Sequence, residues 1–358
     1  MLSVRKAVLQ MHEYHPPLAG RKGLRLDFNE NTEGCSPRVL ERVRGITGEE
    51  LARYPEREPV EEVVAAHLGL SAGQVLLTNG VDEAIHLLCE TYLELSDEVM
   101  VITPTFGMYE IFAEATGAKV VRVQCGEDLR FPFEEVLASV TAKTRLIAVA
   151  SPNNPTGGVA SREQLLAIAQ NAPQAAVLVD EAYHEFHEKT VLSDVVRQQN
   201  MFVARTFSKA YGLAGLRIGI LAGPRQQMPM VRRVSSPYSV NAVALAALPV
   251  ALEDGEYVAS YVAQVKEGRM RLQDALTKAG TQWWPTEANF VLMKIGSQHR
   301  EFVAGMRQRG ILVRDRSSDP GCAGCVRITI GTREQMNILL AALREVLAKL
   351  HLGAGAKA

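Results

Sequence analysis

Six short apolar runs, at 75–78, 99–103, 120–123, 146–150, 177–179 and 201–204, are separated by stretches with helical periodicity such as 84–93 and 133–140. Strands alternating with helices in this way predict a mostly parallel sheet with helices on both faces. Each run is followed by a polar or glycine-bearing stretch, and sheets of this kind collect ligands beyond the C-terminal ends of their strands. The alternation ends near Gly223, where a long helical stretch at 242–279 precedes strand-like runs at 287–292, 311–314 and 326–330. At 358 residues the chain is long enough for one large core and a smaller α/β lobe.

Composition narrows the function classes. Hydrophobic residues make up 47% and charged residues 22%, with a formal net charge of −1 and scattered basic residues. That balance gives no electrostatic case for nucleic acid or an anionic membrane, so an acidic ligand must be met by local arginines. No apolar run approaches the roughly 20 residues that span a bilayer, and residues 1–10 lack a signal-peptide core, so a cytoplasmic location is expected. Five cysteines do not make a disulfide framework. Cys322 and Cys325 form a C-x-x-C without a second pair or a thioredoxin-like setting, and all five are read as reduced. His184 and His187 lack an obvious third ligand, and no metal is expected.

The chemistry concentrates in Arg205-Thr206-Phe207-Ser208-Lys209-Ala210-Tyr211-Gly212-Leu213-Ala214-Gly215-Leu216-Arg217, between the apolar runs 201–204 and 218–222. A single lysine sits among hydroxyls, an arginine and glycines that allow close backbone approach. An amine in an apolar frame near positive charge has a lowered pKa and becomes nucleophilic. The chemical reading is that Lys209 condenses with an aldehyde cofactor while Thr206, Ser208 and Arg217 hold that cofactor's phosphate. The plain alternative is a surface loop with an ordinary lysine.

This stretch resembles the lysine region of the fold-type I pyridoxal-phosphate-dependent aminotransferases, and is most similar to the histidinol-phosphate aminotransferase family. The resemblance runs from about Tyr14 to the C-terminal helix. It implies a large cofactor-binding domain over 41–245, a small C-terminal domain over 246–358, and an N-terminal segment over 1–40 that forms an arm crossing to a partner subunit and part of the small domain. It implies pyridoxal 5′-phosphate as cofactor and a homodimer in which Tyr54, made extended by Pro55, reaches the neighbour's cofactor phosphate. A packed interface tyrosine is the alternative there.

Further roles follow from the same resemblance. The Asn79-Gly80-Val81 turn opens a helix and offers backbone N–H groups to the phosphate, with Val81 where the family carries serine; the alternative is a start merely capped by Asp82. Phe106 stacks on the ring in place of the commoner tyrosine, Asn154 and Tyr183 contact its phenolic oxygen, and Asp180 faces its pyridinium nitrogen. A carboxylate ending a buried strand is costly unless a cation faces it, although a lone Asp there is more often a helix cap or metal ligand. Arg327 reads the substrate carboxylate. Arg314 either binds a substrate phosphate or pairs with an acid such as Asp315, and Tyr14 either reaches that phosphate or packs the arm.

The expected reaction converts histidinol phosphate and 2-oxoglutarate to imidazole-acetol phosphate and glutamate, in histidine biosynthesis. An aromatic aminotransferase, a threonine-phosphate decarboxylase and a non-catalytic binding module share the skeleton and remain alternatives.

Overall fold

The computed structural model describes residues 2–11, 13, 15 and 20–350. Tyr14 therefore lies outside the described residues. The first strand, β1 (Leu24–Arg25), is separated in sequence from a central sheet built of β2 (Val75–Thr78), β3 (Glu98–Thr103), β4 (Lys119–Gln124), β5 (Thr144–Ala150), β6 (Ala176–Asp180), β7 (Met201–Thr206) and β8 (Gly219–Ala222). Its order is β2-β8-β7-β6-β5-β3-β4, and β8 runs antiparallel to both neighbours while the other pairings are parallel.

The strands are apolar on both faces because both faces are covered. Val75 and Leu77 enter one apolar cluster and Leu76 the other; Met100 and Ile102 likewise oppose Val99 and Val101. Strand β7 runs two residues past the expected apolar segment. Arg205 can occupy it because Glu181 neutralises its guanidinium at 2.8 Å.

A smaller sheet, β11-β12-β9, is built from β9 (Phe290–Lys294), β11 (Arg314–Asp315) and β12 (Cys325–Thr329), while β10 (Ile311–Leu312) pairs in parallel with β1. The expected run 311–314 is thus divided at Val313 between two pairings. Residues 287–289, expected as strand, precede β9; the Glu287 N–H donates to the Gly157 carbonyl of a large-sheet loop at 3.0 Å, while the Asn289 carbonyl accepts the Ile330 N–H at 2.8 Å.

The single long helix expected over 242–279 is two helices, Ala242–Glu253 and Gly255–Lys278, broken at Asp254. They serve different cores. The first buries Ala244, Leu248 and Ala251 in the apolar cluster that also holds Val75, Val149 and Val203 of the large sheet, and the second buries Tyr261, Val265 and Leu272 in the cluster around β9 and β12. No helix among the described residues is long and apolar enough to cross a membrane. The five cysteines are free thiols.

Candidate active site

Antiparallel β8 begins where β2 and β7 end, and this register gathers motifs that are far apart in sequence. Thr78 and Thr206 both align with Gly219, bringing together the Gly80 turn, the hydroxyls after β7 and Arg217 before β8. Gly80 has φ of 75°, and a Cβ there would stand 2.7 Å from the Arg217 guanidinium, so only glycine fits this approach. The Thr206 hydroxyl donates to that of Ser208 at 2.9 Å and accepts the Ser208 N–H at 3.1 Å. The helix Gly80–Tyr92 has no side-chain cap. Asp82 pairs with Arg217 at 2.9 Å rather than capping it. Two hydroxyls, a guanidinium and a helix N-terminus thus form one anion cradle.

The cradle closes one end of a cavity of about 240 Å³ whose lining also includes Val81, Phe106, Asn154, Asp180, Tyr183 and Lys209. Lys209 is half-buried, its amine 3.4 Å from the Phe28 carbonyl oxygen and 6.0 Å from the centre of the Tyr183 ring. Burial, reinforced by the positive charge of Arg327, pushes the amine down to about 8. A substantial share of it is therefore neutral near physiological pH.

Asp180 ends β6 with 5% of its surface exposed. Its carboxylate accepts the Tyr109 hydroxyl and, at 2.9 Å, the Ala182 N–H. Burial nevertheless outweighs both donors and raises the carboxyl to about 6. Among the described residues its partners are these two neutral donors and no cation pairs with it. Tyr109 has no sequence signal beyond its place in the 104–109 motif, since a fully buried aromatic reads as core. Phe106 meets it edge-on, with ring centroids 6.0 Å apart.

A second cavity, about 550 Å³, shares Phe28, Phe106, Asn154, Tyr183 and Lys209 with the first and adds Arg314, Arg316 and Arg327. Arg327 lies buried on β12, donating to the Asn154 side-chain oxygen and, at 2.8 Å, to the Asp27 carbonyl. Its Nε is buried with no hydrogen-bond partner among the described residues, and burial lowers its pKa to about 9. An incoming anion would satisfy it. Arg314 lies 5.1 Å from the centroid of the Phe28 ring, and Asp315 accepts from Ser317 and pairs with His299 at 2.9 Å. Tyr54 lines neither cavity. It is 79% exposed and stacks on Tyr238 with centroids 4.4 Å apart.

The residues fit pyridoxal phosphate on the chemistry of the donor set. A phosphate matches the cradle, a protonated ring nitrogen supplies the cation that Asp180 lacks, and an aldehyde meets an amine held near neutrality.

Residues 21–343 match the family model described as aminotransferase class I and II. The chain is 36% identical to histidinol-phosphate aminotransferase of Symbiobacterium thermophilum, over 98% of this chain and 100% of that one. It is 33% identical to the Moorella thermoacetica protein of the same name, over 96% and 93%. Among solved structures, histidinol-phosphate aminotransferase from Sinorhizobium meliloti in complex with pyridoxal-5′-phosphate superposes with a TM-score of 0.88 at 26% identity, covering 97% of this chain and 98% of that one.

Proposed function

The chain belongs to the histidinol-phosphate aminotransferase family of the class I and II aminotransferases, and on that premise we propose that it transfers the amino group of histidinol phosphate to 2-oxoglutarate. The observation that carries this reading is the continuity of the two cavities: Lys209, Tyr183, Asn154 and Phe106 line both. A substrate gripped by the arginines therefore lies against the amine.

Bound pyridoxal phosphate supplies an aldehyde for that amine and a ring that accepts electrons from the substrate Cα. The chain's residues do the rest. Lys209, as a neutral amine, would take the proton from the substrate Cα and deliver it to C4′ of the cofactor. Asp180 keeps the ring nitrogen protonated, and Tyr109 and the Ala182 N–H hold that carboxylate in place. Tyr183 and Asn154 serve the phenolic oxygen, and Phe106 stacks on the ring face. Thr206, Ser208, Arg217 and the Gly80-Val81 turn hold the phosphate. Arg327 binds the carboxylate of glutamate, and Arg314 and Arg327 together receive the phosphate of histidinol phosphate, joined by Tyr14.

We assign residues 1–40 to an arm and part of the small domain, on the pairing of β1 with β10, and place the division between the large and small domains at Asp254, past the expected 245/246 boundary, because the helix Ala242–Glu253 shares the apolar cluster of β2, β5 and β7. The exposed Tyr54–Tyr238 pair supports a homodimer in which Tyr54 completes the partner's phosphate site. A cytoplasmic enzyme of histidine biosynthesis is the setting that suits this reaction.

The test is turnover of L-histidinol phosphate, L-phenylalanine and O-phospho-L-threonine with 2-oxoglutarate. Glutamate formation with kcat/KM highest for histidinol phosphate is expected. A preference for phenylalanine, or release of carbon dioxide from phosphothreonine, would overturn the assignment.

A further inference from the structure

Asn29 precedes the large sheet by more than forty residues and takes left-handed backbone, with φ of 56°, an uncommon conformation outside glycine. It is 1% exposed, and hydrogen bonds fix its whole amide. The Asn29 N–H donates to the Thr329 hydroxyl at 3.0 Å, which leaves that hydroxyl's own proton to donate to the Asn29 side-chain oxygen, at 3.1 Å. The carboxamide cannot flip without losing this bond, so its NH2 faces the Tyr183 hydroxyl, 2.8 Å away. Tyr183 therefore accepts from Asn29, and its own proton must point elsewhere. The phenol lines both cavities.

We propose that Thr329 and Asn29 are positioning residues that turn the Tyr183 hydroxyl proton into the cofactor cavity, tying its direction to the strand that carries Arg327. This deepens the reading above and rests on it, since the acceptor in the cavity is the phenolic oxygen of pyridoxal phosphate. Thr329 lies two residues beyond Arg327 on β12. The segment bearing Asn29 is laced to the same sheet: Arg327 donates to the Asp27 carbonyl at 2.8 Å, the Thr329 N–H to the Leu26 carbonyl at 2.9 Å, and Asn289 to the Asn29 carbonyl at 3.1 Å. A movement of β12 as Arg327 takes a substrate anion is thereby carried to Tyr183.

Other charges act on the same phenol. Asp180 opposes its ionisation while Arg327 and Arg316 favour it, Tyr109 lies close enough to interact, and the Lys209 amine sits 6.0 Å from its ring centre. None of them depends on the Thr329 hydroxyl, so altering that group isolates the orienting bond. A hydroxyl donated to the ring oxygen drains negative charge from beside the Lys209 nitrogen. Losing it leaves that nitrogen more basic.

The test uses Thr329→Val, Thr329→Ser and Asn29→Asp. In the cofactor-free chain labelled with 13Cζ-tyrosine, the Tyr183 resonance is identified by its loss in Tyr183→Phe. It should move in Thr329→Val and Asn29→Asp and stay in place in Thr329→Ser. In the cofactor-loaded chain, the pH at which the visible absorption changes should rise in the first two variants and hold in the third. A Tyr183 resonance unmoved in Asn29→Asp, or a serine variant that shifts as far as valine, overturns the proposal. If Thr329→Val does not fold, Asn29→Asp decides, because it leaves the Thr329 hydroxyl intact. Absence of any visible band would instead refute the cofactor reading, and the tyrosine resonance would still decide this one.

Discussion

Replacing Asp180 by asparagine should make the cofactor-free chain more stable and the enzyme nearly inactive. The carboxyl rises from 3.8 to about 6 in the fold because burial outweighs its two donors. A shift of about two units corresponds to roughly 3 kcal/mol. For an acid whose folded pKa is raised, the folded state holds more protons than the unfolded state between the two values, so stability falls as pH rises through that window and is flat above it. The wild-type chain should lose about 3 kcal/mol from this group between pH 4 and pH 6. Asparagine keeps the shape, accepting from Ala182 and donating to the Tyr109 oxygen, and carries no charge to desolvate. Urea unfolding of both cofactor-free chains at pH 4, 6 and 8 should show the advantage of Asp180→Asn growing to pH 6 and then constant. Pyridoxal phosphate should erase that advantage by giving the carboxylate its cation. A stability difference independent of pH, or asparagine less stable at pH 8, would refute the reasoning.

Three other perturbations probe separate parts of the site. The rate at which Lys209 reacts with pyridoxal phosphate should rise with pH through a midpoint near 8, and Arg327→Leu should move that midpoint upward by removing a cation that depresses it; stopped-flow absorbance checks both. Gly80→Ala puts a side chain at φ of 75° and 2.7 Å from the Arg217 guanidinium; the backbone strain should cost about 1–2 kcal/mol in urea unfolding, and displacement of that guanidinium from the cradle should weaken cofactor binding in equilibrium dialysis. Arg205→Met strands the Glu181 carboxylate, which is 2% exposed and also accepts from Thr190 and the Val191 N–H; a loss of about 3–5 kcal/mol in urea unfolding is expected, and a loss below about 1 kcal/mol would show that the pair is dispensable.

The parts of this molecule that the sequence discloses are those whose signal is local. The run 75–78 is a strand with those bounds because Val75, Leu76 and Leu77 are apolar and an Asn-Gly turn follows Thr78. The lysine stretch is legible for the same reason, since its hydroxyls, glycines and arginine fall within thirteen residues. The break at Asp254 is less so: an Asp-Gly pair inside a helical pattern stops the helix here because the segments on either side serve different cores, which is a tertiary fact. Sequence reasoning gives Tyr109 and Asn29 no role of their own. Their partners, Asp180 and Tyr183, lie 71 and 154 residues away, and nothing local marks a buried tyrosine as a donor or an arm asparagine as an orienting group. Arg205 shows the converse, a charge that reads as a strand's end yet sits inside it once Glu181 comes alongside.

The central claim is that Lys209 is the amine that holds the cofactor and surrenders it to substrate. It is tested most directly by borohydride reduction of the cofactor-loaded protein followed by peptide mass spectrometry. The account predicts a pyridoxyl group fixed on Lys209, absent in Lys209→Ala and largely prevented by L-histidinol phosphate added before the reductant. A label on another lysine, no label at all, or labelling of Lys209 that histidinol phosphate leaves unchanged would contradict it.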